Sequence, residues 1–187
     1  MLETSDLRKG AKLEIEGEPY IVVESQFVKP GKGNAFVRCR IRSMTTGRTI
    51  ERTWKSGETI DPCVLEERPM QFMYHEGGAY HFMDTGNFEQ IELTDDQLGE
   101  TGQWLTENLE VRILLHNGRA ISVDPPNFVE LDIVEGEPAV KGDTKTNAMK
   151  QVVLSTGAKV MVPMFVGNDE RIRIDTRTGE YVERVKK

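Results

Sequence analysis

A lone lysine stands in a short glycine-containing run between two apolar segments, Phe27-Val28-Lys29-Pro30-Gly31-Lys32-Gly33-Asn34-Ala35-Phe36. Proline fixes its own φ and glycine adopts backbone conformations that other residues avoid, so the run predicts a tight turn. Because no bulky side chain adjoins Lys32, the turn is expected to hold a single amine out from the body of the protein. The supporting loop consists of Lys29, Pro30, Gly31, Gly33 and Asn34.

The residues after this turn predict a strand with two chemically different faces. Three arginines alternate with apolar residues in the run Val37-Arg38-Cys39-Arg40-Ile41-Arg42. Side chains alternate between the two faces of a strand, so the arginines are expected on one face, roughly 7 Å apart. Guanidinium groups at this spacing suit the phosphates of a nucleic-acid backbone.

The charge of the chain is segregated. The whole chain is acidic, with 24 basic and 31 acidic side chains and a net charge of −7. Residues 27–55 carry eight basic side chains against Glu51 alone, so the rest of the chain carries −14. A basic patch on an acidic protein indicates a directed polyanion site, most often for nucleic acid. The alternative is a solvated basic hairpin that binds nothing.

Sequence motifs for catalysis and for cofactors are missing. Gly31-Lys32-Gly33 is not followed by the Gly-Lys-Ser/Thr of a phosphate-binding loop, and Phe36 stands where a dinucleotide fingerprint needs its third glycine. No Gly-x-Ser-x-Gly segment occurs. Metal-ligand spacing is also missing among His75, His81, His116, Cys39 and Cys63. We therefore predict no enzyme activity, no catalytic residue, no metal and no cofactor.

The sequence also predicts the compartment. No run of about 18 apolar residues occurs, so no membrane span is expected, and the first residues lack the basic and apolar regions of a signal peptide. Cys39 falls on the apolar face of its predicted strand, and no Cys-x-x-Cys pair is present. We therefore expect a buried, reduced thiol in a cytoplasmic protein.

Short strand-like segments separated by glycine turns run through the whole chain. Asn117-Gly118 between two apolar strands is a strong hairpin signal. Only Thr94–Asn108 suggests a helix, and its two glycines weaken that prediction. The pattern is typical of an all-β protein built from small barrels.

Two proline-containing segments, Asp61-Pro62 and Asp124-Pro125-Pro126-Asn127, predict domain boundaries. We expect domains at residues 1–64, 65–127 and 128–187, with net charges of +2, −9 and 0. Three such barrels in line would reach about 75 Å, which approaches the span of a transfer RNA.

Several motifs in order resemble the bacterial translation elongation factor P family over the full length. They are the Lys29–Phe36 tip, Leu115-His116-Asn117-Gly118-Arg119, Pro126-Asn127-Phe128-Val129-Glu130-Leu131, Gly142-Asp143-Thr144, Val162-Pro163-Met164-Phe165-Val166 and Asp175-Thr176-Arg177-Thr178-Gly179-Glu180-Tyr181-Val182. The resemblance implies an SH3-like KOW domain, then two OB-like domains, in an elongated, tRNA-like shape.

The resemblance also implies a function and partners. Members of the family bind the ribosome, contacting 30S and 50S subunits between the P and E sites, and rescue stalls at consecutive prolines by positioning P-site peptidyl-tRNA. Lys32 takes the position that a lysine-modifying enzyme extends with β-lysine or a five-carbon amino alcohol. Arg38, Arg40 and Arg42 would bind tRNA or rRNA. The chain is expected to act as a monomer and without a membrane.

A loop in the last third resembles the part of the family that lies near the E-site codon. It contains Gly142, Asp143, Thr144 and Asn147, and it departs from the commonest form of that loop at Lys145 and Asn147. Two other interpretations stay open. One is a paralogous elongation factor P-like protein with different stall preferences, and the other is a general OB-type single-strand nucleic-acid-binding protein.

Overall fold

The computed structural model describes residues 1–138 and 148–187. Within these residues, helical structure is limited to two 3₁₀ segments, Thr4–Asp6 and Gly99–Trp104, and one short α-helix, α1, at Asp95–Leu98. The rest of the regular structure consists of strands in three sheets. The all-β class predicted from the sequence is confirmed.

The first sheet has the strand order β1-β6-β2-β3-β4-β5. Its strands are β1 Leu2–Glu3, β2 Lys12–Ile15, β3 Glu18–Val28, β4 Phe36–Ser43, β5 Thr49–Lys55 and β6 Thr59–Pro62. Buried and exposed residues alternate along β4, as its sequence predicts. The core that the sheet covers contains Leu7, Leu13, Val22, Val37, Cys39, Ile41, Trp54 and Ile60. Burial of the Cys39 thiol is therefore confirmed.

The second sheet has the order β11-β10-β7-β8-β9. Its strands are β7 Glu66–Glu76, β8 Ala79–Met83, β9 Gln90–Thr94, β10 Glu110–His116 and β11 Arg119–Asp124. The predicted hairpin joins β10 to β11, and both turn residues have positive φ, 51° at Asn117 and 80° at Gly118. Asparagine and glycine tolerate this left-handed conformation, which two-residue hairpin turns require.

The helix predicted over Thr94–Asn108 is wrong in length. The side chains of Thr94 and Gln97 cap the start of α1. The backbone amide of Thr94 donates to Gln97 Oε1 at 2.9 Å, and the backbone amide of Gln97 donates to Thr94 Oγ1 at 3.3 Å. Gly99 then adopts a φ of 55°, which an α-helix cannot continue through. A 3₁₀ segment carries the chain on to Trp104.

The third sheet has the order β14-β13-β12-β15-β16. Its strands are β12 Phe128–Gly136, β13 Met149–Leu154, β14 Lys159–Pro163, β15 Arg171–Asp175 and β16 Glu180–Val185. Trp104 joins the core beneath this sheet and is 5% exposed. A side chain that follows α1 thus packs among residues of the last third of the chain.

Arginines on β15 are paired with carboxylates of the flanking strands. Register places Asp132 opposite Arg171, and it places Glu130 and Glu183 on either side of Arg173. Arg171 donates to Asp132 at 2.9 Å. Arg173 donates to both glutamates, at 3.0 Å in the case of Glu130. These hydrogen bonds from Arg171 lower the pKa of Asp132.

The chain divides into two compact units. The first comprises Met1–Arg68, Glu92–Leu98 and Ile113–Ser122, and the second comprises Pro69–Ile91, Gly99–Arg112 and Val123–Lys187. No helix among the described residues has the length and apolar character needed to cross a membrane.

Candidate nucleic-acid interface

The candidate interface is built on the β3–β4 hairpin. The two strands pair from Tyr20 opposite Ser43 out to Val28 opposite Phe36, so residues 29–35 form the connecting loop. On the other side, β5 pairs with β4 as far as Lys55 opposite Phe36. The amide of Ser56 also donates to the carbonyl of Ala35 at 2.9 Å. The base of the loop is therefore held from both sides.

Lys32 lies at the exposed tip of this loop. Gly33 has a φ of 108°, a conformation that side chains with a Cβ rarely adopt, so glycine is required there. Gly31 has no such constraint, and a Cβ built on it would meet no atom within 4 Å. The space beside Gly31 is therefore open. Lys29, Gly31, Gly33 and Asn34 are exposed, and Pro30 is half-buried.

The three arginines of β4 share the exposed face of the hairpin. Arg38, Arg40 and Arg42 are exposed, while Cys39 and Ile41 between them are fully buried. The structure therefore brings the arginines together on one surface that leads away from the Lys32 loop. Arg38 also lies over the Phe36 ring, with 5.9 Å from the guanidinium carbon to the ring centroid.

Two carboxylates moderate the charge of this face. Register places Glu24 of β3 and Glu51 of β5 on either side of Arg40. Arg40 donates to Glu24 at 3.2 Å, and the Nε of Arg38 lies 3.7 Å from a Glu51 oxygen. Glu24 precedes the basic segment 27–55, so a count of charges along that segment does not include it. Strand register was the missing information.

Three other cations of the hairpin differ from Arg38 and Arg40 in having no carboxylate contact among the described residues. In residues 1–138 and 148–187, no carboxylate contacts the side chains of Lys29, Lys32 or Arg42. Both ion pairs on the arginine face join side chains that are about half exposed or more. Exposed pairs of this kind are weak and exchange with solvent ions, so a polyanion can compete for Arg38 and Arg40.

The opposite face of the hairpin packs on the core through Val37, Cys39 and Ile41, each at most 4% exposed. The Cys39 thiol lies 3.6 Å from the Ser25 hydroxyl, and burial raises the pKa of Cys39. Burial therefore favours the neutral thiol, which is unreactive at neutral pH. Phe27 is the exception, because 63% of it is exposed beside the loop.

The predicted loop of the last third differs from His116, for which the sequence predicts no ligand role. Gly142, Asp143, Thr144 and Asn147 lie outside the described residues. His116, at the end of β10, is buried and its Nε2 lies 3.1 Å from a carboxylate oxygen of Glu14. His116 thus lies far from the arginine face in sequence but within the first compact unit.

Comparison with known proteins decides the family. An "Elongation factor P (EF-P) KOW-like domain" model matches residues 3–60, an "Elongation factor P (EF-P) OB domain" model matches 65–123, and an "Elongation factor P, C-terminal" model matches 129–184. Elongation factor P from Helicobacter hepaticus is 51% identical over 182 residues, covering 97% of each chain. Elongation factor P from Desulfatibacillum aliphaticivorans is 48% identical over 187 residues, covering both chains fully. The chain belongs to the elongation factor P family.

A solved structure supports the fold alone. Eukaryotic translation initiation factor 5A from Methanococcus jannaschii aligns with a TM-score of 0.52 at 22% identity, covering 66% of this chain and 91% of that one. Within the elongation factor P family, the hairpin with Lys32 falls in the KOW-like match. The chain is thus a translation factor whose exposed lysine and arginine face lie together in the first of the three matched regions.

Proposed function

We propose that this translation factor binds the ribosome between the P and E sites and stimulates peptide-bond formation at consecutive prolines. The observation that carries the proposal is the exposed Lys32 at a loop tip that two strands support, with no carboxylate in contact with it in the described part of the chain. Membership of the elongation factor P family makes the translating ribosome the relevant polyanion. The P-site peptidyl-tRNA is the partner that the tip would contact.

The arginine face supplies the affinity that the tip alone lacks. Arg38, Arg40 and Arg42 would hold phosphates of the acceptor side of the tRNA or of rRNA, together with Lys29. Arginine suits this task because its planar guanidinium can donate two parallel hydrogen bonds to a phosphate. The acidic remainder of the chain disfavours other RNA, so binding depends on a shaped ribosomal site.

The chemistry itself belongs to the ribosome. Proline reacts slowly in peptide-bond formation, and a peptidyl-tRNA that moves in its site loses reactive geometry. A rigid hairpin that fixes the CCA end reduces the entropy that must be lost when the reacting atoms meet. The factor therefore acts by orientation, and no catalytic residue of its own is needed.

A covalent extension on Lys32 would lengthen its reach. An unmodified lysine spans only about 6 Å from its backbone. A modifying enzyme that recognises the exposed loop could add β-lysine or a five-carbon amino alcohol to the amine. The space beside Gly31, where a Cβ would meet no atom within 4 Å, is compatible with such an addition.

The proposal extends beyond the Lys32 loop and the arginine face. By the family resemblance, Gly142, Asp143, Thr144 and Asn147 would lie near the E-site codon. The factor would act as a monomer, in the cytoplasm. The domain division at residues 1–64, 65–127 and 128–187 also stays a proposal.

A stalling reporter tests the function. Cells that lack their own elongation factor P would express this chain, and read-through of a run of three or more prolines would be measured against a matched run without prolines. Restoration of read-through at the proline run alone supports the proposal. Rescue of a different set of motifs would favour a paralogous factor, and tight sequence-independent binding of short single strands would favour a general nucleic-acid binder.

A further inference from the structure

Three side chains with different metal-binding atoms meet in the first compact unit. They are Glu14, Cys63 and His116, and one ligand atom from each lies within 4.8 Å of the other two. They come from three separate segments, β2, the residue after β6, and the last residue of β10. Sequence spacing does not connect them, because β2 and β6 pair in the first sheet while β10 belongs to the second sheet.

The β2–β6 ladder accounts for two of the three positions. Glu14 lies opposite Asp61 and Leu13 opposite Pro62, and the amide of Cys63 donates to the carbonyl of Lys12 at 3.2 Å. Residues two apart on a strand share a face, so Glu14 and Cys63 are diagonal neighbours on one face of the ladder. A glutamate side chain is long enough to reach across such a diagonal.

His116 closes the cluster from β10. Its Nε2 already lies 3.1 Å from Glu14, and the residue is only 8% exposed. Cys63 is a free cysteine and half-buried. The cluster therefore combines a thiol, an imidazole and a carboxylate, all partly or fully withdrawn from solvent.

We propose that Glu14, Cys63 and His116 form a binding site for a divalent transition metal of the zinc type. Sulfur, imidazole nitrogen and carboxylate oxygen are the three ligand classes that Zn²⁺ takes in proteins. At ordinary bond lengths, tetrahedral ligands lie about 3.4 to 3.8 Å apart, so the cluster must contract by about 1 Å at its widest. Water would complete the coordination.

The charge of the site suits a dication. On binding, the Cys63 S–H bond breaks, its proton passes to solvent, and a sulfur–metal bond forms with the thiolate. The thiolate and the Glu14 carboxylate then neutralise the two positive charges, while His116 binds as neutral imidazole. The metal replaces the hydrogen bond between His116 and Glu14. The bound metal would therefore connect the β2–β6 ladder to the end of β10.

Cobalt spectroscopy tests the site on the untagged full chain, treated with a chelator and a reductant. Co²⁺ should give a thiolate-to-metal charge-transfer band that saturates at one equivalent per chain, and Zn²⁺ should abolish the band by displacement. Cys63→Ser should remove the band and weaken Zn²⁺ binding at least tenfold by calorimetry. The matched control Cys39→Ala removes the other thiol and should leave both results unchanged.

Alkylation of the wild-type chain gives a second measurement that needs no variant. Zn²⁺ should slow the reaction of Cys63 with iodoacetamide, as followed by peptide mass mapping. The absence of a cobalt band at saturating metal would overturn the proposal. A band that survives Cys63→Ser would overturn it equally, and so would alkylation of Cys63 at an unchanged rate. Each of these outcomes would show that Glu14 and His116 form only an ordinary buried hydrogen bond.

Discussion

Two strands of this chain carry arginines at alternate positions and differ in what faces them. On β15, Arg171 and Arg173 lie opposite carboxylates of β12 and β16, at 2.9 and 3.0 Å from the nearest oxygens of β12. On β4, the neighbours of Arg38 are Gln26 and Thr53, and those of Arg42 are Ile21 and Thr49. The same sequence pattern thus gives an ion-pair ladder in one sheet and, in the other, a face whose register leaves Arg38 and Arg42 without a carboxylate opposite them.

Strand register, and not the alternation of arginines, determines whether such a face is neutralised by carboxylates. An arginine on every second residue specifies only that the guanidinium groups share a face. Whether that face attracts phosphate depends on the residues that register places beside it. On β4, Arg40 resembles the arginines of β15, because it has a glutamate on each side, whereas Arg38 and Arg42 do not.

The largest expected effect on activity comes from Lys32 and not from the arginines of β4 or β15. Lys32→Ala should abolish proline-stall rescue in the reporter while changing the unfolding free energy by less than about 0.5 kcal/mol, because the side chain contacts no core residue. Lys159→Ala on β14 is the matched control, since Lys159 is also an exposed lysine. If both variants rescue equally well, the tip has no special role.

The next effect contrasts the two arginine strands directly. Arg38→Glu with Arg40→Glu should weaken ribosome binding about tenfold to thirtyfold at physiological salt and reduce the salt slope by about two, since two phosphate contacts are lost. Arg171→Gln with Arg173→Gln should leave ribosome affinity unchanged and lower the melting temperature. Sedimentation at several salt concentrations and thermal unfolding measure the two results; an exchange of phenotypes between the pairs would refute the distinction.

A smaller effect, an increase in ribosome affinity, is expected when the carboxylates on the β4 face are removed. Glu24→Gln with Glu51→Gln removes the two carboxylates that contact Arg38 and Arg40. Ribosome affinity should rise by up to about tenfold at low salt, and the gain should shrink as salt screens the added charge. Filter binding across a salt series would detect it. Equal affinity at low salt would mean that these arginines do not contact phosphate.

The smallest effect concerns pH and the ladder on β15. Hydrogen bonds from Arg171 lower the folded-state pKa of Asp132 below its unfolded value of about 4. A depressed carboxyl pKa gives stability that is present above the unfolded pKa and lost as pH falls through the folded pKa. Asp132→Asn should therefore flatten the fall in melting temperature below pH 4. Arg171→Gln should flatten it to a similar extent, and no further flattening is expected when the two are combined.

The elements of this fold are largely predictable from sequence, whereas the pairing of its charges is not. Alternation predicts β4, and Asn117-Gly118 predicts the β10–β11 hairpin, because both signals are local. Strands β1 and β6 are not predictable in this way, since a two-residue and a four-residue strand carry too little periodicity to detect. Asp61-Pro62 lies within β6, where the sequence suggested a boundary.

The candidate site follows the same division. The exposed position of Lys32 is predictable, because proline and glycine impose it locally. The position of Glu24 beside Arg40 and the diagonal of Glu14 and Cys63 depend on register between paired strands. His116 approaches Glu14 from a strand of another sheet. No local sequence pattern carries such contacts.

The irregular pairing in β3 has a consequence for the direction of the tip. Val22 lies opposite Ile41 and Glu24 opposite Arg40, so Val23 is an extra residue in the ladder. An inserted residue of this kind bends the strand and increases its twist. Deletion of Val23 would leave every later side chain on its present face and yet straighten the hairpin. The bulge at Val23 thus affects the direction of the hairpin that carries Lys32, although Val23 is not itself part of the Lys32 loop.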